Sequence, residues 1–242
     1  MADQNDDFDK LLEGTSLGSR GARKLRARTP AFRARAVRSI AGPGWWHHYS
    51  DVLPNWYPTY IGLEDAASLI RSYEVQFVHG LLQTEAYARA VIRSGMKNAS
   101  EADIERHVAV RLERQKRLIS QNAPQLHVVL DESVLRRPYG DREVMRDQLH
   151  HLIDMSELEN VWLQIMPFSV GGHSSGAGAF TILKFPEPDL SDVVYVEQLT
   201  SALYLDKRWD VEQYEMALSE MLEDSLIPEK SCDLLRRLMR LF

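Results

Sequence analysis

The chain lacks most of the features that would point directly to a reaction. Its 242 residues include one cysteine, Cys232, so no intrachain disulfide can form and a reducing compartment is expected. Cys232 lies between apolar positions of a predicted C-terminal helix and reads as a packed thiol rather than a nucleophile. No run approaches the ~18 apolar residues of a membrane span. The acidic, polar start Met1–Asp9 has no signal-peptide core, so a soluble cytoplasmic protein without a membrane partner is expected. There is no Walker-type phosphate loop, nucleophile elbow or H-E-x-x-H pair. Gly171–Gly178 is glycine-rich but leads into a strand, whereas a phosphate cradle needs the N–H groups of a following helix. His47-His48 and His150-His151 are adjacent pairs whose members point in different directions. His47 and Asp51 are four apart, but two ligands do not make a metal site. Neither a metal nor a cofactor is expected.

Charge is unevenly spread. The formal balance is −6, from 29 basic and 35 acidic residues. Eight of the basic residues (Arg20, Arg23, Lys24, Arg26, Arg28, Arg33, Arg35 and Arg38) form a stretch with no acid in it. The rest of the chain is strongly acidic. Such a body is not that of a dedicated nucleic-acid binder, and any DNA contact should be weak and confined to residues 20–38. The stretch reads equally as a solvated linker or as an arm lying on the acidic body.

Apolar residues are sparse up to residue 29, so residues 1–29 are expected to be a disordered or loose basic arm. Phe32, Ala36, Val37 and Ile40 follow with helical spacing after Pro30, and Gly42-Pro43-Gly44 ends that helix, which makes 30–43 a linker helix. Residues 44–242 read as the main domain. It opens on a belt of rings: Trp45, Trp46, Tyr49, Trp56, Tyr57 and Tyr60. Helices are expected over Leu63–Tyr73, after the N-cap Thr84, and from Ser100-Glu101-Ala102-Asp103 through Ile119. The charges of that last helix read as a solvated face with local ion pairs. Strands are expected at Leu126–Leu130, Val161–Met166, Phe180–Phe185, Val193–Val196 and Ala202–Leu205, with a helix capped by Asp141 among them. The last three connections are too short for helices, so that part of the sheet is antiparallel. Two closing helices run from Asp210 to about Leu226 and from Pro228 to about Leu241. The expected class is α+β: a largely antiparallel mixed sheet of about five strands packed by amphipathic helices, with an N-terminal helical and aromatic segment.

Candidate chemistry gathers around the belt. Glu74, His79 and Gln83 lie close together in sequence, and a carboxylate, an imidazole and an amide beside aromatic rings could line a pocket. Glu132, Arg137 and Glu197 lie at strand ends, where charges can converge on a cleft. Equally, Arg137 could pair with Glu132 or Glu197 and simply hold two elements together. The ligand-binding candidates are Trp45, Trp46, Tyr49, Trp56, Tyr60, Tyr73, Gln83, Arg137, Tyr195 and Glu197. Glu74, His79 and Glu132 are the candidates for moving a proton.

An ordered set of short motifs adds to this reading. It comprises Gly44-Trp45-Trp46, Tyr60-Ile61-Gly62-Leu63-Glu64, Ile70-Arg71-Ser72-Tyr73-Glu74, Gly80-Leu81-Leu82-Gln83-Thr84, Val110-Arg111-Leu112-Glu113-Arg114-Gln115, Leu130-Asp131-Glu132, Leu135-Arg136-Arg137-Pro138, Met166-Pro167-Phe168 and Val194-Tyr195-Val196-Glu197. Together these resemble the C-terminal domain of unknown function of actinobacterial Xre-type helix-turn-helix regulators, which are described as antitoxin-like and encoded beside small partner proteins. The resemblance covers about Gly44 to Leu241. The sequence departs from the family pattern in two ways. Only 43 residues precede Gly44, with no recognition helix among them, and His79 stands where the family commonly has proline. The resemblance therefore implies a regulatory protein that binds a small-molecule metabolite or a small partner protein, with a homodimer compatible, and without a DNA-binding domain of its own. The alternative is an enzyme of specialised metabolism, performing cyclase- or isomerase-like acid–base chemistry in the aromatic pocket.

Overall fold

The computed structural model describes residues 44–174, 178–187 and 190–242. The expected basic arm and linker helix lie outside the described residues. A short 3-10 turn, Trp45–Tyr49, leads to helix α1 (Tyr57–Ala66) and strand β1 (Leu69–Glu74). Helices α2 (Glu85–Gly95) and α3 (Glu101–Gln115) cross over to β2 (Gln125–Asp131). Helices α4 (Glu132–Arg136) and α5 (Arg142–Met155) lead on to β3 (Val161–Met166). Strands β4 (Phe180–Lys184), β5 (Val193–Glu197) and β6 (Ala202–Leu205) follow, then α6 (Arg208–Asp224) and α7 (Pro228–Leu238).

Among the described residues the strands form one mixed sheet of six, in the order β3-β2-β1-β4-β5-β6. The pairs β1–β2 and β2–β3 are parallel, because each has a helical crossover between its strands. The pairs β1–β4, β4–β5 and β5–β6 are antiparallel, the last two through short connections. The sheet therefore has the expected α+β class, with one strand more than about five.

The added strand is β1, and it corrects the helix expected over Leu63–Tyr73. Ala66, Ala67, Leu69 and Ile70 have helical spacing, yet the helix stops at Ala66 and Ala67 is already extended (ψ 141°). Leu69–Glu74 is then claimed by hydrogen bonds on both sides, from β2 and from β4. A central strand buries both faces, so the alternation that marks a half-exposed strand is missing, and pairing decides against local propensity.

The expected helix starts are in place. Thr84 accepts from the Tyr87 N–H, Ser100 from that of Asp103 and Asp141 from that of Val144. Each such cap stabilises its helix by ~1 kcal/mol. The closing helix carries Cys232, which is half-buried with its Sγ 3.3 Å from Ser156 Oγ.

The two sheet faces are covered differently. Ile70, Val128, Leu163, Leu183 and Tyr195 face the larger core, which packs residues of α1, α2, α5 and α7. Tyr73, Val129, Ile182 and Val194 face the other way, with Leu218 and Met221 of α6. No helix among the described residues is long and apolar enough to cross a membrane.

Candidate functional site

Strand direction gathers the candidate carboxylates. β1 and β5 are each antiparallel to β4, so they run the same way and end at the same edge of the sheet. Glu74 is the last residue of β1 and Glu197 the last of β5. The registers Ser72–Thr181 and Thr181–Tyr195 put Ser72, Glu74, Tyr195 and Glu197 on one face, the face covered by α1. Sheet edges of this kind, at the carboxyl ends of strands, are where open α/β proteins form ligand crevices.

Three segments pack around this edge. Trp56 precedes α1, and its indole N–H reaches Glu197 Oε1 at 3.5 Å while its carbonyl accepts from the Tyr204 hydroxyl at 2.7 Å. The loop 75–84 carries His79 and Gln83, both buried. Gln83 donates to the Val78 carbonyl at 2.6 Å and accepts from Arg111 Nη1 at 3.0 Å. Helix α3 brings Arg111 and Arg114 beneath Gly80. A Cβ at Gly80 would lie 3.3 Å from Arg111 Nη1 and 3.4 Å from Arg114 Nη1, so the glycine admits the two guanidinium groups.

At the floor is a buried ion pair. Arg114 donates from Nε to Glu64 Oε2 and from Nη2 to Glu64 Oε1, both at 2.7 Å, and Tyr60 donates to Glu64 Oε1 at 2.8 Å. Arg114 also donates to the Tyr57 hydroxyl and lies over the rings of Tyr57 and Tyr60. Burial by itself would raise the Glu64 pKa; the charge and hydrogen bonds of Arg114 outweigh it and hold the carboxyl below its usual value. This pair is fully satisfied and reads as a structural support.

Glu74 is placed differently. It is partly buried, and its described hydrogen-bond partner is the Ser72 hydroxyl at 2.8 Å. Burial pushes its carboxyl up to about 8; Ser72, Arg111 and Arg114 pull it down, while Glu197 pushes it further up. Near neutral pH it is therefore mostly protonated. His79 behaves in the opposite sense. Burial drives its imidazole down to about 4, against the pull of Glu64, and its Nδ1 accepts from the Leu81 N–H at 3.3 Å. It is a neutral ring with a structural hydrogen bond. Tyr195 is 5% exposed, and its hydroxyl faces the Glu197 carboxyl in a contact outside ordinary hydrogen-bond geometry. Burial first, then Glu197, Tyr57 and Tyr204, raise its pKa well above the usual value.

Residues 57–237 match the family model described as Domain of unknown function (DUF5753). The chain belongs to this family. No curated protein and no solved structure matches it. The matched span of the DUF5753 domain contains Glu64, Glu74, His79, Arg111, Arg114, Tyr195 and Glu197, and begins one residue after Trp56.

The remaining candidates lie elsewhere in the DUF5753 fold or just before it. Trp45, Trp46 and Tyr49 form a separate cluster with Leu53, Ile61 and Val110. A Cβ at Gly44 would meet the Trp46 ring at 2.5 Å, which accounts for the glycine of the Gly-Trp-Trp motif. The aromatic belt is thus divided: Trp56, Tyr57 and Tyr60 lie with Glu197, Arg114 and Glu64, and the earlier rings do not. Tyr73 faces the opposite side of the sheet, 3.2 Å from His173 Nε2 and 3.5 Å from Asp131 Oδ2. Glu132 opens α4, where it accepts from Arg136 Nε at 2.7 Å and from the Phe168 N–H at 2.9 Å. Arg136 takes the role expected of Arg137, which is exposed. Glu132 and Arg137 therefore do not converge with Glu197. Among the described residues no group of three or more histidine, cysteine, aspartate or glutamate side chains is placed to hold a metal.

Among the residues of the site that sequence reasoning missed are Glu64, Arg111 and Arg114. The charges of α3 read as a solvated face, and part of that holds, since Lys116 pairs with Glu113 and Arg106 reaches Asp51. Arg114 does not fit it, being 5% exposed. The signal available was spacing: Arg111 and Arg114 lie three apart, hence on one helical face.

Proposed function

We propose that this DUF5753 protein is a regulatory ligand-binding protein of the cytoplasm, related to the effector domain of actinobacterial Xre-type helix-turn-helix regulators, and that its ligand binds at the sheet edge between Glu74 and Glu197. The observation that carries this reading is the placement of Glu74, Tyr195 and Glu197 on one face at the carboxyl ends of β1 and β5, with the Trp56 indole at Glu197. Sheet edges of this kind favour ligand sites. The Glu64–Arg114 floor and the Gln83–Arg111 contact hold the surrounding side chains in place beforehand, which lowers the ordering cost of binding. The ligand on this reading is a metabolite. A small partner protein is the other occupant that family resemblance suggests.

Native mass spectrometry of the full chain purified from its own host tests this. A co-purifying small molecule that is lost in Tyr195→Phe and Glu197→Gln supports the reading. A protein partner unaffected by both substitutions overturns the sheet edge as the binding site, and recovery of neither ligand nor partner overturns the binding function.

One observation favours a second reading, an enzyme of specialised metabolism. A carboxyl poised at about 8 beside a second carboxylate and aromatic walls can give and take a proton near neutral pH. On this reading Glu74 is the general acid or base, and Glu74→Gln abolishes turnover while leaving ligand binding in place.

A further inference from the structure

We propose a second binding site, independent of the sheet edge at Glu74: a cleft beside Trp45 that takes a zwitterionic α-amino acid with an aromatic side chain. A cavity of about 270 Å³ opens between α1, the end of α3 and the 3-10 turn Lys116–Ile119 that follows it, with Trp45 as one wall. Its size lies just below the range of about 300–1,000 Å³ that drug-sized ligands occupy, and suits one small metabolite. With the sheet edge it has Glu64 and Arg114 in common.

Charge decides the class of occupant. Three acids and three bases line the cavity: Glu64, Asp65, Glu113, Arg114, Lys116 and Arg117. Their formal sum is zero, so a plain anion meets as many like charges as opposite ones, and so does a plain cation. The three acid–base pairs are engaged to different degrees. Glu64 and Arg114 hold each other through two hydrogen bonds of 2.7 Å and have nothing to offer a ligand. Lys116 and Glu113 form an exposed pair three residues apart, of the kind that opens at little cost.

Asp65 and Arg117 are the pair left unfinished. Oδ1 of Asp65 lies 3.7 Å from Nε of Arg117, too far for a hydrogen bond. Asp65 accepts no hydrogen bond among the described residues. Arg117 gives Nη2 to the Ala67 carbonyl at 3.3 Å, and its Nε is withdrawn from solvent without a hydrogen bond. Both side chains keep part of their exposure, so both can be reached. A carboxylate and a guanidinium with spare capacity thus face each other along one cavity. An α-amino acid carries the two missing partners on a single carbon. Its ammonium group can donate to Asp65 and its carboxylate can accept from Arg117, each through charge-assisted hydrogen bonds.

Trp45 receives the side chain. It stands edge-on to Trp46 and Tyr49, at 5.8 and 6.4 Å between ring centroids, so its ring is fixed before a ligand arrives. A second ring packs on it edge-to-face or offset, which favours an aromatic side chain over an aliphatic one of the same area. The two tryptophans of the Gly-Trp-Trp motif then have different tasks: Trp46 is buried in its own cluster, and Trp45 faces the cavity.

Titration calorimetry of the full chain with L-phenylalanine tests this. Two controls each lack one charge of the zwitterion: 2-phenylethylammonium chloride has no carboxylate, and 3-phenylpropionate has no ammonium group. Each should bind at least about tenfold more weakly than L-phenylalanine. Arg117→Gln should weaken L-phenylalanine to the level of 2-phenylethylammonium, and Asp65→Asn should weaken it to the level of 3-phenylpropionate. Trp45→Ala should weaken all three about tenfold. Asp65 and Arg117 are partly exposed, and unchanged circular dichroism of both variants confirms that they fold. Absence of L-phenylalanine binding at a Kd of about 1 mM or tighter overturns the site. Either control binding as tightly as L-phenylalanine overturns the zwitterion class. Binding that survives both Asp65→Asn and Arg117→Gln undiminished overturns the cavity as its place.

Discussion

Replacing Glu74 by glutamine should stabilise this protein, and the size and sign follow from one carboxyl group. In the unfolded chain a glutamate titrates near 4.5, whereas the folded protein holds Glu74 up to about 8, first through burial. Between those values the folded state keeps a proton that the unfolded state has lost. Stability must then fall as pH rises, by about 1.4 kcal/mol per pH unit for a single group. From about 4.5 to pH 7 the loss is on the order of 3 kcal/mol, and partial exposure of the group makes this an upper figure. A glutamine side chain there would have no charge to desolvate and could keep the Ser72 contact. A gain of about 2–3 kcal/mol corresponds to a rise in Tm of roughly 4–12 °C for a chain of this length. The assay is thermal unfolding by circular dichroism of the wild type and Glu74→Gln at intervals from pH 4.5 to 9. The difference between the two isolates Glu74 from every other titrating group. It should be near zero at the acid end, widen through neutrality and level off above about pH 8. A difference that stays flat across this range, or that favours the wild type at pH 7, refutes the placement of Glu74 as a buried carboxyl lacking a cation.

Three further outcomes are expected. Arg114→Met should cost about 3–5 kcal/mol in urea unfolding by leaving Glu64 buried without its partner, and the double variant Glu64→Leu/Arg114→Met should recover most of that loss; a double variant as unstable as the sum of the singles counts against a dedicated pair. His79→Gln should remove an acid sensitivity: the imidazole is held down to about 4 by burial, so wild-type stability is lost as pH falls from about 6.5 towards 4, and a variant with the same loss would show that His79 is not its source. Tyr195→Phe should leave the Tm of the ligand-free protein unchanged or raised by a few degrees, because the hydroxyl makes no hydrogen bond of ordinary geometry among the described residues; a drop of more than about 1 kcal/mol would mean that its contact with Glu197 is a stabilising hydrogen bond.

Much of the local structure could be read from the chain. Thr84, Ser100 and Asp141 cap helices as their positions suggest, and Val161–Met166 and Ala202–Leu205 are strands to the residue. These are local signals: a side-chain oxygen three residues before a free N–H, or short apolar runs between turns. β1 was hidden because its partners are 50 and more residues away and because it carries Arg71, Ser72 and Glu74 through the middle of the sheet. Half of the candidate site was legible in the same way. Trp56, Tyr60, Glu74, His79, Gln83, Tyr195 and Glu197 come together, and the belt of rings near residue 50 was the cue. Trp45, Trp46, Tyr49, Tyr73, Glu132 and Arg137 do not join them.

The sequence alone determined the class of the fold, the boundaries of most elements and, through its ordered motifs, membership of a domain family of unknown function. Tertiary structure decided which charges matter. Glu64, Glu74 and Glu132 are the same residue type, and no periodicity in the sequence separates them. Their fates differ because of what the fold brings alongside: Arg114 for Glu64, Arg136 for Glu132, and for Glu74, among the described residues, a hydroxyl hydrogen bond and no ion pair. A carboxyl group's charge is set by the free energy of its surroundings, and those surroundings come from segments far apart in the chain.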